Sequence, residues 1–323
     1  MKHLFLPILT LFLLTNSLIA EDKLPLVSED NLREEETFGD YTVKIYRDYP
    51  TGEGLLHIFK DDKLVYSKKD WKFTIGHVYD ELDYKDSPKY YDARGGIANN
   101  SVVAMGKDIT GDGEPNLLVS HWSGGAHCCF SFYVFSIGED FRLIQRINNE
   151  DGDLGKFVDV DDDGALEFIG NDWTFSYWRA PFSQSPAPRI ILKYRDGKYR
   201  LALDLMKSEP LDPERQAEMI QRIKADMADA VADKEWMKEQ LELGELSYGW
   251  VREGVAIPPL VWKHMLQLIY YGDAKSAWDF LDKVWPEDKP GKEEFLADFK
   301  KVLAESPYWD SLEEIVGNIG GKK

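Results

Sequence analysis

The stretch "VDVDDDGALEF" (residues 158–168) gathers Asp159, Asp161, Asp162, Asp163 and Glu167 around one glycine, Gly164. Side-chain oxygens stand at positions 1, 3, 5 and 9 of the run Asp159–Glu167, with glycine at position 6. Carboxylates at this density repel one another unless a cation neutralises them. Hard divalent ions such as Ca2+ take about 6–8 oxygen ligands at about 2.3–2.6 Å, some of them backbone carbonyls. A tight turn brings alternate side chains to one side, and a glycine permits the sharp bend. Asp159, Asp161, Asp163 and Glu167 would then supply carboxylates, and Ala165 its carbonyl at position 7.

An upstream run repeats the pattern. Asp108, Thr110, Asp112 and Asn116 carry oxygens at the same positions, Gly113 is the sixth residue, and Glu114 holds position 7. Each run passes directly into an apolar segment, Leu117-Leu118-Val119 or Phe168-Ile169. Neither is an EF-hand, which requires a bidentate Glu at position 12 and helices on both sides. Here position 12 is Val119 or Gly170. More ligand charge generally means tighter Ca2+. The downstream loop, with Asp159, Asp161, Asp163 and Glu167 against Asp108 and Asp112, is therefore expected to be the stronger site.

"HWSGGAHCCF" holds His121, His127 and the chain's two cysteines, Cys128 and Cys129. Adjacent Cα atoms lie about 3.8 Å apart across a trans peptide, below the usual disulfide span of about 4.4–6.8 Å. A vicinal Cys128–Cys129 bond is therefore possible but strained. Reduced or intermolecular cysteines are the alternative, and a soft metal site using His127 and a thiolate is a third. "NDWTFSYWRAPF" concentrates aromatics in a loop, where Trp173 and Trp178 could line a ligand site or pack between elements. No HExxH, GxSxG, P-loop or strand-following GxGxxG is present.

The elements that must position these residues change character near residue 206. Before it, "YTVKIYRD", "LLHIFKDDKLVYSKK", "NLLVSHW", "CCFSFYVFSI", "FRLIQRI", "LEFIGND" and "RIILKYRDGKYRLALDL" read as short strands separated by turn residues. Such spacing suggests a sandwich, barrel or propeller. After it, Asp212-Pro213-Glu214 starts a helix, and Met219, Ile220, Ile223, Met227, Ala230 and Val231 recur at helical spacing. Further helices are expected over 259–271, 274–285, 292–305 and 308–316. The division is thus a strand-rich region, 21–206, and a helical domain, 207–323. Residues 1–20 read as a secretory signal, with Lys2 and His3 ahead of the apolar run Leu4–Leu14. No later segment is long and apolar enough to span a bilayer. A net charge of −19 disfavours nucleic acid, anionic lipid and polyphosphate substrates, and favours cations.

"DITGDGEPNLLVS" and "VDVDDDGALEFIG" resemble the FG-GAP/VCBS-type repeats, in which Asp-x-[Asn/Asp/Thr]-x-Asp-Gly-x-x-[Asp/Asn/Glu] precedes a strand and holds calcium. The likeness covers roughly residues 100–205 and extends to exported bacterial proteins whose role is generally uncharacterised. It implies an all-β, propeller-like domain of four-stranded blades with Ca2+ in loops within the blades, followed here by the α-helical domain. "YPTGEGLLHIF", with Gly54 in the glycine place, is a candidate degenerate copy. "IYYGDAKSAWDFLDKVWP" resembles the second half of a tetratricopeptide repeat, with Gly272, Ala277 and Leu281 at its packing positions.

Together these features suggest a periplasmic or secreted, calcium-stabilised, non-enzymatic binding or scaffold protein with a protein or glycan partner. A cell-envelope glycan or peptide hydrolase is the enzymatic alternative. Thiol redox or copper handling through His127-Cys128-Cys129 is a third.

Overall fold

A computed structural model describes residues 27–48, 51–76, 103–125, 129–150, 155–209 and 211–317. The expected secretory signal, His127 and Cys128 lie outside the described residues. Among those described, three four-stranded antiparallel sheets follow one another along the chain. The first comprises β1 (Leu32–Phe38), β2 (Tyr41–Arg47), β3 (Gly54–Lys60) and β4 (Lys63–Asp70). The second comprises β5 (Lys72–Ile75), β6 (Asn116–Trp122), β7 (Phe130–Ile137) and β8 (Phe141–Glu150). The third comprises β9 (Lys156–Val158), β10 (Glu167–Asn171), β11 (Arg189–Arg195) and β12 (Lys198–Leu201). In each, chain order is also spatial order, so every sheet is a simple meander.

Local chemistry sets the hairpins. Asp61 and Asp62 at the β3–β4 turn, and Asp196 and Gly197 at the β11–β12 turn, all have positive φ. Two left-handed residues give a turn whose twist matches the strands it joins, and Asp and Gly tolerate that conformation best.

The sheets stack through alternating side chains. Leu117, Val119, Tyr133 and Phe135 face the first sheet and share a core with Val43, Ile45, Leu56 and Ile58. Their neighbours Leu118, Phe132 and Val134 point the other way, onto Phe157, Phe168, Ile190 and Leu192 of the third sheet. The middle sheet is therefore apolar on both faces, which is why β7 carries the consecutive apolar residues Phe132, Tyr133, Val134 and Phe135.

Helices cover the far side of the third sheet. α1 (Leu203–Met206) precedes α2 (Pro213–Ala232) and α3 (Lys234–Leu243). A short hairpin, β13 (Trp250–Arg252) with β14 (Val255–Ile257), interrupts the helices. α4 (Pro259–Tyr270), α5 (Ala274–Val284), α6 (Lys292–Leu303) and α7 (Trp309–Gly317) follow. The Asp212 carboxylate accepts from the N–H groups of Glu214 and Arg215 at 3.0 and 3.2 Å, the capping role its sequence context suggests. α4 and α5 form a hairpin turning at Gly272, whose φ is +83°, and Ala277 and Leu281 are buried.

One apolar cluster runs from Phe132 through the third sheet to Trp262, Phe295 and Phe299, so residues on both sides of position 206 share a core. The whole is a mixed arrangement of antiparallel sheets and helices. No described helix is long and apolar enough to cross a membrane.

Candidate metal centre

The upstream acidic run lies on the connection from β5 to β6, and the downstream run joins β9 to β10. Both therefore lead from the first strand of a sheet into its second. Gly54, by contrast, is the first residue of β3 and so follows the second strand of its sheet. Its φ is not positive. A Cβ there would stand 2.2 Å from the Trp71 carbonyl oxygen, so close backbone approach explains the glycine.

The two runs share one backbone. Positions 4 and 6 are left-handed in both: Gly111 (+73°) and Gly113 (+88°) upstream, Asp162 (+59°) and Gly164 (+93°) downstream. The first Asp accepts from the N–H of the sixth residue, Gly113 to Asp108 Oδ2 and Gly164 to Asp159 Oδ2, each at 2.9 Å. The fifth residue accepts from the seventh, Glu114 to Asp112 at 3.1 Å and Ala165 to Asp163 at 2.9 Å. The ninth reaches back to the second, Ile109 to Asn116 Oδ1 and Val160 to Glu167 Oε2, each at 2.8 Å. These bonds turn the side-chain oxygens inward and leave each carboxylate with spare lone pairs.

Upstream, Thr110 Oγ1 lies 3.3, 2.9 and 3.2 Å from oxygens of Asp108, Asp112 and Asn116, so the four expected oxygen donors meet. The Glu114 side chain lies elsewhere, toward Gly138, and only its backbone belongs to the loop. Downstream, one oxygen from each of Asp159, Asp161 and Glu167 lies within 4.8 Å of the others. Ala165, between Gly164 and Leu166 in the same loop, is buried. This donor set, all oxygen and mostly anionic, suits a hard divalent cation.

Two residues that the spacing pattern does not reveal complete the geometry. Lys193, on β11, places its Nζ 2.7 Å from Asp161, 2.6 Å from Asp163 and 3.2 Å from Glu167. Burial opposes its charge, yet hydrogen bonds to these carboxylates outweigh that and raise its pKa. The Lys193 hydrogen bond, with help from the Ala165 N–H, holds the Asp163 carboxyl below the usual carboxylate range. Tyr199, on β12, lies with its OH 3.3 Å from the Ile109 carbonyl and 3.2 Å from the Leu166 carbonyl. The Leu166 N–H itself donates to the Ile109 carbonyl at 2.9 Å, so the two loops touch directly. Burial, then the nearby Glu167 charge, pushes the Tyr199 phenol up, keeping it a donor. Only strand register could have revealed Lys193, because Phe168 pairs with Leu192 and residue 193 falls one step along, opposite Glu167.

The other candidate residues are placed differently. His121 is buried, with Nδ1 3.0 Å from Ser131 Oγ and Nε2 3.3 Å from Asp70 Oδ1; burial lowers its pKa. Cys129 is disulfide-bonded, and so offers no thiolate to a soft metal. Trp178 packs on Trp262 of α4 at 5.0 Å between ring centroids, and reaches Phe295 and Phe299 of α6. Trp173 stacks on Phe182 at 5.3 Å. Trp178 therefore spends its ring on the junction with the helices, and Trp173 on its own loop.

Comparison with known proteins adds little to this geometry. No family model matches the chain. Over 82 residues it is 35% identical to the uncharacterized protein y4bJ of Sinorhizobium fredii, a match covering 25% of this chain and 13% of that protein. No solved structure matches.

Proposed function

We propose that this chain is an exported calcium-binding scaffold protein, in which ions held by the two acidic loops brace a propeller-like stack of sheets. The observation that carries the reading is the shared loop architecture. Two runs with the same glycine place, the same left-handed positions and the same three internal hydrogen bonds each converge their oxygens. Asp159, Asp161, Asp163 and Glu167 with the Ala165 carbonyl would hold one ion. Asp108, Thr110, Asp112 and Asn116 with the Glu114 carbonyl would hold the other. Three successive four-stranded meanders stacked face to face support the propeller-like reading, with helices where further blades would stand. Helices and sheets would then present a surface to a protein or glycan partner in the periplasm or outside the cell. The packing of Trp178 into the helices takes away the aromatic cleft on which a hydrolase reading leans.

Calcium titration by calorimetry on the chain lacking residues 1–20 tests this. Binding with Kd between about 10−5 and 10−3 M is expected, the span from sensor to extracellular sites. Each site filled at a hundredfold Kd adds about 2.7 kcal/mol of stability, so chelator should lower the melting temperature. Absence of heat together with an unchanged melting temperature would overturn the reading.

A further inference from the structure

We propose that Lys193 is a resident counter-ion of the downstream loop, and that a divalent ion enters that loop only by displacing the lysine ammonium. This regulation of the site rests on the calcium reading.

Glu167 is fully buried, its Oε2 taking the Val160 N–H and its Oε1 accepting no well-directed hydrogen bond. A buried carboxylate needs a compensating charge. Lys193 Nζ, 3.2 Å from that Oε1, is the cation supplied by the chain itself. It also donates to both oxygens of Asp161, at 2.9 and 2.7 Å, and to Asp163 Oδ2 at 2.6 Å. Those are three of the oxygen-bearing residues that the ion would need.

The upstream loop provides an internal comparison. There the ninth residue, Asn116, pairs with Ser136 on the next strand, the place that Lys193 occupies beside Glu167. The loop with Asp108 and Asp112 as its acidic donors faces a neutral Ser; the loop with four carboxylate donors faces a Lys. Upstream, among the described residues, the nearest cation is Arg142 of β8, 3.8 Å from Asp112 Oδ2 alone, whereas Lys193 reaches three donors of the downstream loop at once.

One ammonium leaves most of the carboxylate charge uncompensated, whereas Ca2+ neutralises twice as much. The lysine stem is a flexible four-carbon chain, so its head can leave without moving the strand. Competition of this kind weakens the apparent affinity of the more acidic loop, and the simple ranking by ligand charge need not hold.

The test is calcium calorimetry on the full chain, in wild type, Lys193→Met and Lys193→Gln, with circular dichroism confirming that each is folded. Asp159→Asn identifies the heat belonging to the downstream loop. Removing the lysine should tighten that component by about ten-fold or more, in line with freeing charged ligands from an ion pair. The upstream component should change far less, because Lys193 touches only downstream carboxylates, and the calcium-free variants should melt earlier and be rescued by Ca2+. Equal or weaker affinity in both variants would overturn the inference while leaving the calcium reading in place. No binding in any of the chains would remove both.

Discussion

Gly164 and Gly113 stand at φ of +93° and +88°, and a Cβ added to either would meet no atom within 4 Å. Their requirement is therefore purely conformational, since L side chains in this region strain the backbone. Gly164→Ala should cost about 1–2 kcal/mol of stability, read as a lower urea midpoint in calcium-free buffer with an unchanged slope. This is also where the sequence was most legible. Alternating Asp residues around a glycine state their own geometry within nine positions, because turn, hinge and donors are all local. Gly54 misleads for the opposite reason: its glycine answers a contact with Trp71, on the link between β4 and β5, that no local pattern shows. Lys193 is illegible for the same cause, as one lysine in "RIILKYRDG" carries no mark of the loop it serves.

Strands and helices were readable where their periodicity was long or their turns were strong. The Asp61-Asp62 and Asp196-Gly197 hairpins, and the helix opening at Asp212-Pro213, fall where turn and capping chemistry place them. β1, with the sequence LREEETF, escaped because three glutamates mask its alternation on an exposed strand. β9 and the β13–β14 hairpin, three residues per strand, are too short for a period of two to register. What no single element can show is the meeting of the two loops. Tyr199 on β12 lies against the carbonyls of Ile109 and Leu166, and the Leu166 N–H joins the loops directly. Tyr199→Phe keeps the ring and removes the buried donor, at a cost of about 1–3 kcal/mol. Under the calcium reading it should also loosen the coupling between the sites, so that Asp159→Asn disturbs the upstream isotherm less in the variant than in wild type. An upstream isotherm with the same response to Asp159→Asn in both backgrounds would show that Tyr199 carries no coupling.

At the scale of the molecule, the change from strand to helix near residue 206 is a change of element type within one continuous core. Phe132 of the second sheet, Phe168 of the third, and Trp262 and Phe299 of the helices belong to a single cluster. A polar tie reinforces it. Asp172, just beyond β10 and almost fully buried, accepts from Thr174 N and Oγ1, from Ser306 Oγ at 2.6 Å, and from the Tyr270 hydroxyl. Burial, then the Asp172 charge, pushes the Tyr270 phenol well up, so it stays protonated as a donor. The third sheet and the helices are accordingly expected to unfold as one unit. Helical circular dichroism and the hydrogen-exchange protection of the β10 and β11 amides should be lost at one denaturant midpoint. Asp172→Ala leaves Ser306 and Tyr270 without their acceptor, so it should move both signals together by about 2–3 kcal/mol. Two midpoints in the wild-type chain would instead mean that the strand-rich and helical regions are independent. The cluster linking Phe168 to Trp262 would then contribute little to folding, and any stiffening of the loops by ions would stop at the third sheet. A shared midpoint, raised by Ca2+ in both signals, would mean that an ion bound between β9 and β10 is felt as far away as α6.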